Sequence, residues 1–310
     1  MKIAVLLSSL MLALPSWAQD VDKSLPINSG SDVRIEVPRG ELKMVVGQSD
    51  QIRVSGTLDE MAEELIFEQQ GNAIVVEVRM PGKWRGNNKD GSNLTIEMPA
   101  EVNLDASGVS TNIRAKGFSG DIDISTVSGE LMASELNGKI GVNTVSGDLT
   151  LRNSQGRVRI EAVSGEIVEA GTQGRLIMRN VSGDITSTND AEEVSLETVS
   201  GDVEMRSGKA AEMTLRSVSG DMELALKGEG DYRLSSDSVS GDMELSVNKS
   251  LAGSIRFFAN AGGKIKNRVS DDKPVKQKYG PSSDLEFELG QGSSKLNITT
   301  LSGTMEISYH

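Results

Sequence analysis

Apolar side chains along the middle of this chain recur two residues apart, in short bursts. Ile122, Leu131, Ile140, Leu149, Val158, Ile167, Leu176 and Ile185 each stand two residues after a glycine. In most units a second apolar residue follows two further on, as at Ile124, Val142, Leu151, Ile160, Met178, Leu196 and Met205. A spacing of two places side chains on one face of a β-strand. A helix would need spacings of three and four, and a glycine in every nine residues would cost it about 1 kcal/mol each time.

The glycines are themselves periodic. Gly120, Gly129, Gly138, Gly147, Gly156, Gly165, Gly174 and Gly183 fall nine residues apart, and Gly201, Gly220 and Gly241 continue the series at wider intervals. The tetrapeptide Val-Ser-Gly-acid begins at Val127, Val145, Val163, Val181, Val199, Val218 and Val239, and the first four intervals are eighteen residues. Alternate nine-residue units therefore differ, and one coil holds two of them. One such strand cannot bury its face alone, whereas stacked coils bury a continuous core. The expectation is an all-β, parallel β-solenoid with two strands and about 18 residues per coil, wound right-handed as parallel crossovers prefer. Gly129, Gly147, Gly165, Gly183, Gly201, Gly220 and Gly241 are its expected turn residues, because positive φ is least costly without a Cβ. The valine before Ser-Gly is expected to cap the core at the corner, so that Val145, Val163 and Val181 form one column. Thr126, Thr144, Asn153, Ala162, Asn180 and Thr198, placed ahead of it, are expected to stack, with their polar groups bonding along the ladder.

The flanks organise around this zone. Residues 1–18 carry Lys2, an apolar run from Ile3 to Leu14, and small Ser16 and Ala18, in the order of a secretory signal peptide cut after Ala18. Residues 19–31 read as a disordered polar lead-in. Residues 32–310 read as a single solenoid domain. Within it, 32–118 form irregular coils and a cap, 119–250 the regular repeats, 251–283 a loop or cap excursion, and 284–310 a closing repeat. The N-terminal part alternates apolar and polar residues, with a hairpin turn at Gln70-Gly71-Asn72. A polar loop runs from Lys83 to Asn93 and carries Trp84. Lys264, Lys266, Arg268, Lys273, Lys276 and Lys278 make the excursion basic.

Composition narrows the chemistry. The chain has 310 residues, no cysteine and one histidine, His310. Disulfides, thiolate chemistry and a lipoprotein anchor are excluded, and Ser-His catalysis has no internal imidazole to use. A net charge of −13 argues against a nucleic-acid partner. Beyond the signal segment no stretch has the apolar length of a membrane-spanning helix.

Repeated Thr-Val-Ser-Gly-Asp, an opening VRIEVPRGELKMVV and a closing GQGSSKLNITTLSGTMEI together resemble the bacterial putative-adhesin family of β-solenoid proteins, over nearly all of the chain after the signal. The resemblance implies a fold and surface contact, and brings no catalytic residues with it. The closing copy departs from the pattern at Thr304, where an acid is expected.

The most suggestive chemistry is the acid after each corner glycine: Glu130, Asp148, Glu166, Asp184, Asp202, Asp221 and Asp242. Aligned carboxylates attract divalent cations such as Ca²⁺. The calcium β-roll, however, needs a denser glycine and aspartate pattern than one of each per turn. The favoured account is that each carboxylate bonds backbone N–H groups of its own turn. Lys139, Arg157 and Arg175 mark a partly basic opposite edge. No Gly-x-Ser-x-Gly is present, and Gly290 to Lys295 lacks the spacing and following helix of a phosphate loop. The expected protein is not an enzyme and has no cofactor. It is an exported, periplasmic or cell-surface interaction protein contacting an envelope protein or glycan through flat β-faces and charged edges. The alternatives are a calcium-dependent binder on the acid ladder and, last, an envelope polysaccharide-processing enzyme.

Overall fold

The structure is a computed structural model describing residues 19–47, 50–82 and 91–310. The expected signal peptide and most of the Lys83–Asn93 loop, with Trp84, lie outside the described residues. The described residues form strands and turns with no helix.

The repeat zone folds as parallel strands in an eighteen-residue register. On one face Ile122, Ile140, Val158, Leu176 and Val194 pair in succession. On the other, Leu131, Leu149, Ile167, Ile185 and Val203 do the same. All ten are buried, and the two rows meet in one hydrophobic core. Ile167–Ser182 and Ile185–Ser200 each run as one strand around a corner from one face to the next. Burying each such side chain contributes about 1.5–3 kcal/mol, which is how short strands of four or five residues are held.

The N-terminal part continues both faces. Asp32–Val46 pairs in parallel with Asn103–Lys116, which pairs with the first repeats. Outside Asp32–Val46 lies a further coil made of Ala73–Arg79 and Ser92–Met98. One face ends in the Glu64–Gln70/Ala73–Arg79 hairpin, turning at Gly71 and Asn72. The other ends in Gln51–Thr57 and then Asp20–Pro26, both antiparallel. The lead-in expected to be disordered is thus an edge strand. Val21 and Ile27 are buried, and Arg53 bonds Asp22 through two nitrogens at 2.8 and 2.9 Å. Two inward apolar residues and an ion pair outweigh its polar composition.

The excursion at 251–283 contains three short strands of its own, Gly253–Ala259, Lys264–Asn267 and Val275–Lys276. Met243–Val247 is followed in register by Thr304–Tyr309, so the chain leaves the stack and returns to the adjacent position. In between, Gly253–Ala259 and Lys264–Asn267 make the outermost coil, beyond the closing repeat. Ser283–Leu289 then lies antiparallel on Gly253–Ala259, with Val275–Lys276 outside it.

The valine expected to cap the core points outward. Val127, Val145, Val163, Val181, Val199, Val218 and Val239 are each 45–47% exposed. The reason is parity: Ile122, Ile124 and Thr126 face inward, so Val127 falls on the outer side. The residue ahead of the valine is the inward one. Thr126 donates to the carbonyls of Thr111 and Ser128, and Asn180 donates to those of Gly165 and Gly183. Asn153 does not belong to that row. It sits at the other corner with φ of 51°, because its neighbour Ser154 takes the inward place.

Candidate interaction surface

Serine, glycine and acid positions of the Val-Ser-Gly-acid corners tie coils together, the serine at several corners and the acid wherever it is aspartate. The serine hydroxyl reaches the preceding coil's valine carbonyl: Ser128 to Val109 at 3.3 Å, Ser200 to Val181 at 3.3 Å, Ser219 to Val199 at 3.2 Å, Ser240 to Val218 at 3.3 Å. The glycine lies against the carbonyl of the glycine one coil below. The aspartate accepts a backbone N–H from the next coil's acid position: Asp148 from Glu166, Asp184 from Asp202, Asp202 from Asp221, Asp221 from Asp242. This corrects the own-turn expectation, because parallel stacking brings the next coil's amide directly over the carboxylate. Asn112 starts the series by accepting from Glu130, and Asp242 ends it by accepting from Thr304. Thr304 departs from the pattern in the closing repeat; in the coil beyond it Lys264 stands opposite Thr304, and its N–H donates to the Gly303 carbonyl at 2.9 Å.

The acid ladder thus holds Glu130, Asp148, Glu166, Asp184, Asp202, Asp221 and Asp242 in one row, with an oxygen of each aspartate already engaged by backbone. No group of three or more His, Asp or Glu side chains is poised to hold a metal ion among the described residues. The basic edge is mixed: Lys139 pairs with Asp121 at 3.0 Å, and Arg175 with Glu193 at 2.9 Å.

The valine side chain makes no such tie and stands toward solvent at every corner of the series. With Val109 before the series and Leu301 after it, nine aliphatic side chains stand outward on successive coils. At the sheet spacing they make a ridge about 38 Å long. Beside it runs a groove of about 590 Å³ between the middle valines and an outward polar row that includes Asn143, Glu161, Arg179 and Glu197. Arg179 bonds Glu161 and Glu197, both at 3.1 Å, and Arg216 bonds Glu197 at 3.2 Å. These exposed pairs are worth at most about 1 kcal/mol each, and they set the groove's wall more than its stability.

A second feature was visible in the sequence only as an acid at an inward position. Glu169 falls in the core row between Leu151 and Ser187 and is 1% exposed. It accepts the Thr172 N–H at 2.9 Å and the Ser187 hydroxyl at 2.5 Å, and Asn189 donates to Ser187 at 3.0 Å. Burial raises its carboxyl above the ordinary range, with the Ser187 and Thr172 bonds acting in the other direction. A folded-state pKa above the unfolded one gives stability that is full below the unfolded value, about 4.3, and is lost as pH rises through the folded value. Glu169→Gln is expected to remove that loss. Thermal unfolding from pH 4 to 8 should show the variant gaining on the wild type as pH increases.

A fold-spanning match settles the relationship. The family profile described as Toastrack DUF4097 matches residues 23–308. The chain belongs to that family. A comparison with curated proteins gives no match. Among solved structures, this Toastrack DUF4097 chain is similar to a "putative cell adhesion protein" from Clostridium sporogenes, at 10% identity and a TM-score of 0.22, over 94% of this chain and 100% of that one. A "putative adhesin" from Parabacteroides distasonis matches at 10% identity and a TM-score of 0.41, over 93% and 97% of the respective chains. A "putative lipid binding protein" from the same organism matches at 12% identity and a TM-score of 0.32, over 74% and 96%. No helix of this Toastrack DUF4097 chain is long and apolar enough to cross a membrane among the described residues.

Proposed function

We propose that this protein is a non-catalytic, exported interaction protein that holds an extended segment of an envelope or cell-surface protein along its valine ridge. The observation that carries the reading is the ridge itself. Nine aliphatic side chains stay exposed on consecutive coils, while the outward row beside them changes freely among Ser125, Asn143, Glu161, Arg179 and Glu197. A contiguous apolar stripe rimmed by polar residues is the usual mark of a contact surface. Aromatic residues are 3% of the chain and none lines the groove, which favours a polypeptide over a stacked sugar. The order of charge, apolar run and small residues in 1–18 supports export, and a right-handed two-strand coil is the winding that parallel crossovers favour.

The ridge should separate binding from folding. Val145→Asp with Val181→Asp is expected to leave the melting temperature nearly unchanged and to abolish cross-linking to envelope proteins that the wild type captures. Capture that survives both substitutions would remove the ridge from the account. In the same preparation, envelope polysaccharides should yield no new reducing ends; their appearance would overturn the non-catalytic reading.

A further inference from the structure

The two ends of the stack carry opposite charge. At the N-terminal end, residues 58–70 hold five carboxylates and no base, with Asp59 buried against Arg39 and Glu64 ion-paired with Arg79. Glu63, Glu64 and Glu68 are exposed there, on or beside the outermost strand Glu64–Gln70. At the C-terminal end, residues 264–278 hold six bases against two acids, in a chain whose net charge is −13. Lys264, Lys266, Arg268, Lys273, Lys276 and Lys278 are all exposed, Lys266 and Arg268 being paired with Glu306 of the adjacent strand. So are Val275 at 69% and Tyr279 at 85%, the most exposed large apolar side chains described.

Both ends also present strands paired on one flank only, among the described residues. Asp20–Pro26 pairs with Gln51–Thr57 alone, and Lys264–Asn267 with Thr304–Tyr309 alone. Their directions agree. Asp20–Pro26 is antiparallel to Gln51–Thr57, which is antiparallel to Ser92–Met98, so it runs with the parallel strands of its face, as Lys264–Asn267 does. A second copy shifted along the stack would therefore set these two strands side by side with the same polarity. Charges on a sheet edge usually prevent edge pairing. Here the block has a sign: each end repels a copy of itself and attracts the other end.

We infer that copies of this chain associate head to tail, the basic C-terminal end of one on the acidic N-terminal end of the next. Such a contact is heterologous and does not close on itself, so it builds linear chains. It would also align the valine ridges of successive copies.

Sedimentation velocity on the purified protein tests this. At about 0.01 M salt, where charges act over about 30 Å, the mean mass should grow with concentration; at about 1 M, where they act over about 3 Å, it should fall to monomer. Lys273→Glu, Lys276→Glu and Lys278→Glu together should abolish the growth, as should Glu63→Lys, Glu64→Lys and Glu68→Lys together. Mixing the two triple variants should restore it, because each then offers the other an end of opposite sign. A wild type that stays monomeric at low salt, or an assembly indifferent to salt and to both triple variants, would overturn the inference.

Discussion

Gly183→Ala is expected to destabilise the protein by about 3 kcal/mol or more, while Gly82→Ala changes stability by less than about 1 kcal/mol. Gly183 has φ of 117°, a region that residues with a Cβ rarely adopt. The space is closed as well. A Cβ there would lie 2.2 Å from the Gly165 carbonyl oxygen and 2.8 Å from its carbon, both backbone atoms that no rotamer change can move. The coil below is held by the same contact, Gly165 on Gly147, and the coil above by Gly201 on Gly183, so relief at one corner strains its neighbours. At Gly82 an added Cβ meets nothing within 4 Å. Denaturant titration of the two variants separates the stack's requirement from glycine's general flexibility.

Phe118→Ala should cost about 3–5 kcal/mol, and Val145→Ala no more than about 1 kcal/mol. Phe118 is fully buried at the second corner. Backbone bonds from Asn137 to Phe118, Gln155 to Leu136 and Gln173 to Ser154 set that corner's inward row as Phe118, Leu136, Ser154 and Thr172. The row narrows from a ring to a hydroxyl, and the coils at the large end depend on the ring for filling. Pairing on both flanks stops the strands from collapsing into the space, so the cavity term adds to the lost burial. Val145, at 47% exposure, leaves no cavity when truncated. Unfolding free energies of the two variants would invert if the valine row were the core row.

How much of this was legible beforehand follows from what repeats. The glycine series and the spacing-two apolar pairs already specify parallel stacked strands, since only an eighteen-residue register puts Ile140 beside Ile122 and Val158. The Val-Ser-Gly-acid series marks the corner in the same way. Its division of labour at the valine is not legible from residue type, because a β-branched residue beside a turn has the same chemistry whether it faces inward or outward. Counting parity from Ile124 would have placed it outside.

The ends lay beyond reach for a different reason. Asp20–Pro26 is polar enough to read as unstructured, and only its pairing with Gln51–Thr57 shows what Val21 and Ile27 bury. Nothing local marks Gly253–Ala259 as lying outside Ser294–Thr300, a strand that comes later in the chain. Spacing puts Glu169 at an inward position, but only the stacking of Leu151 and Ser187 on either side shows that it is closed off from water.

Local order along this chain is periodic, and a period survives in one dimension: strand type, coil length and corner chemistry can be read from residue spacing. Which side chains meet water, which strands end the stack and where opposite charges gather depend on contacts between residues far apart in the chain. Burial and charge act through space, so those features exist only once the coils are stacked.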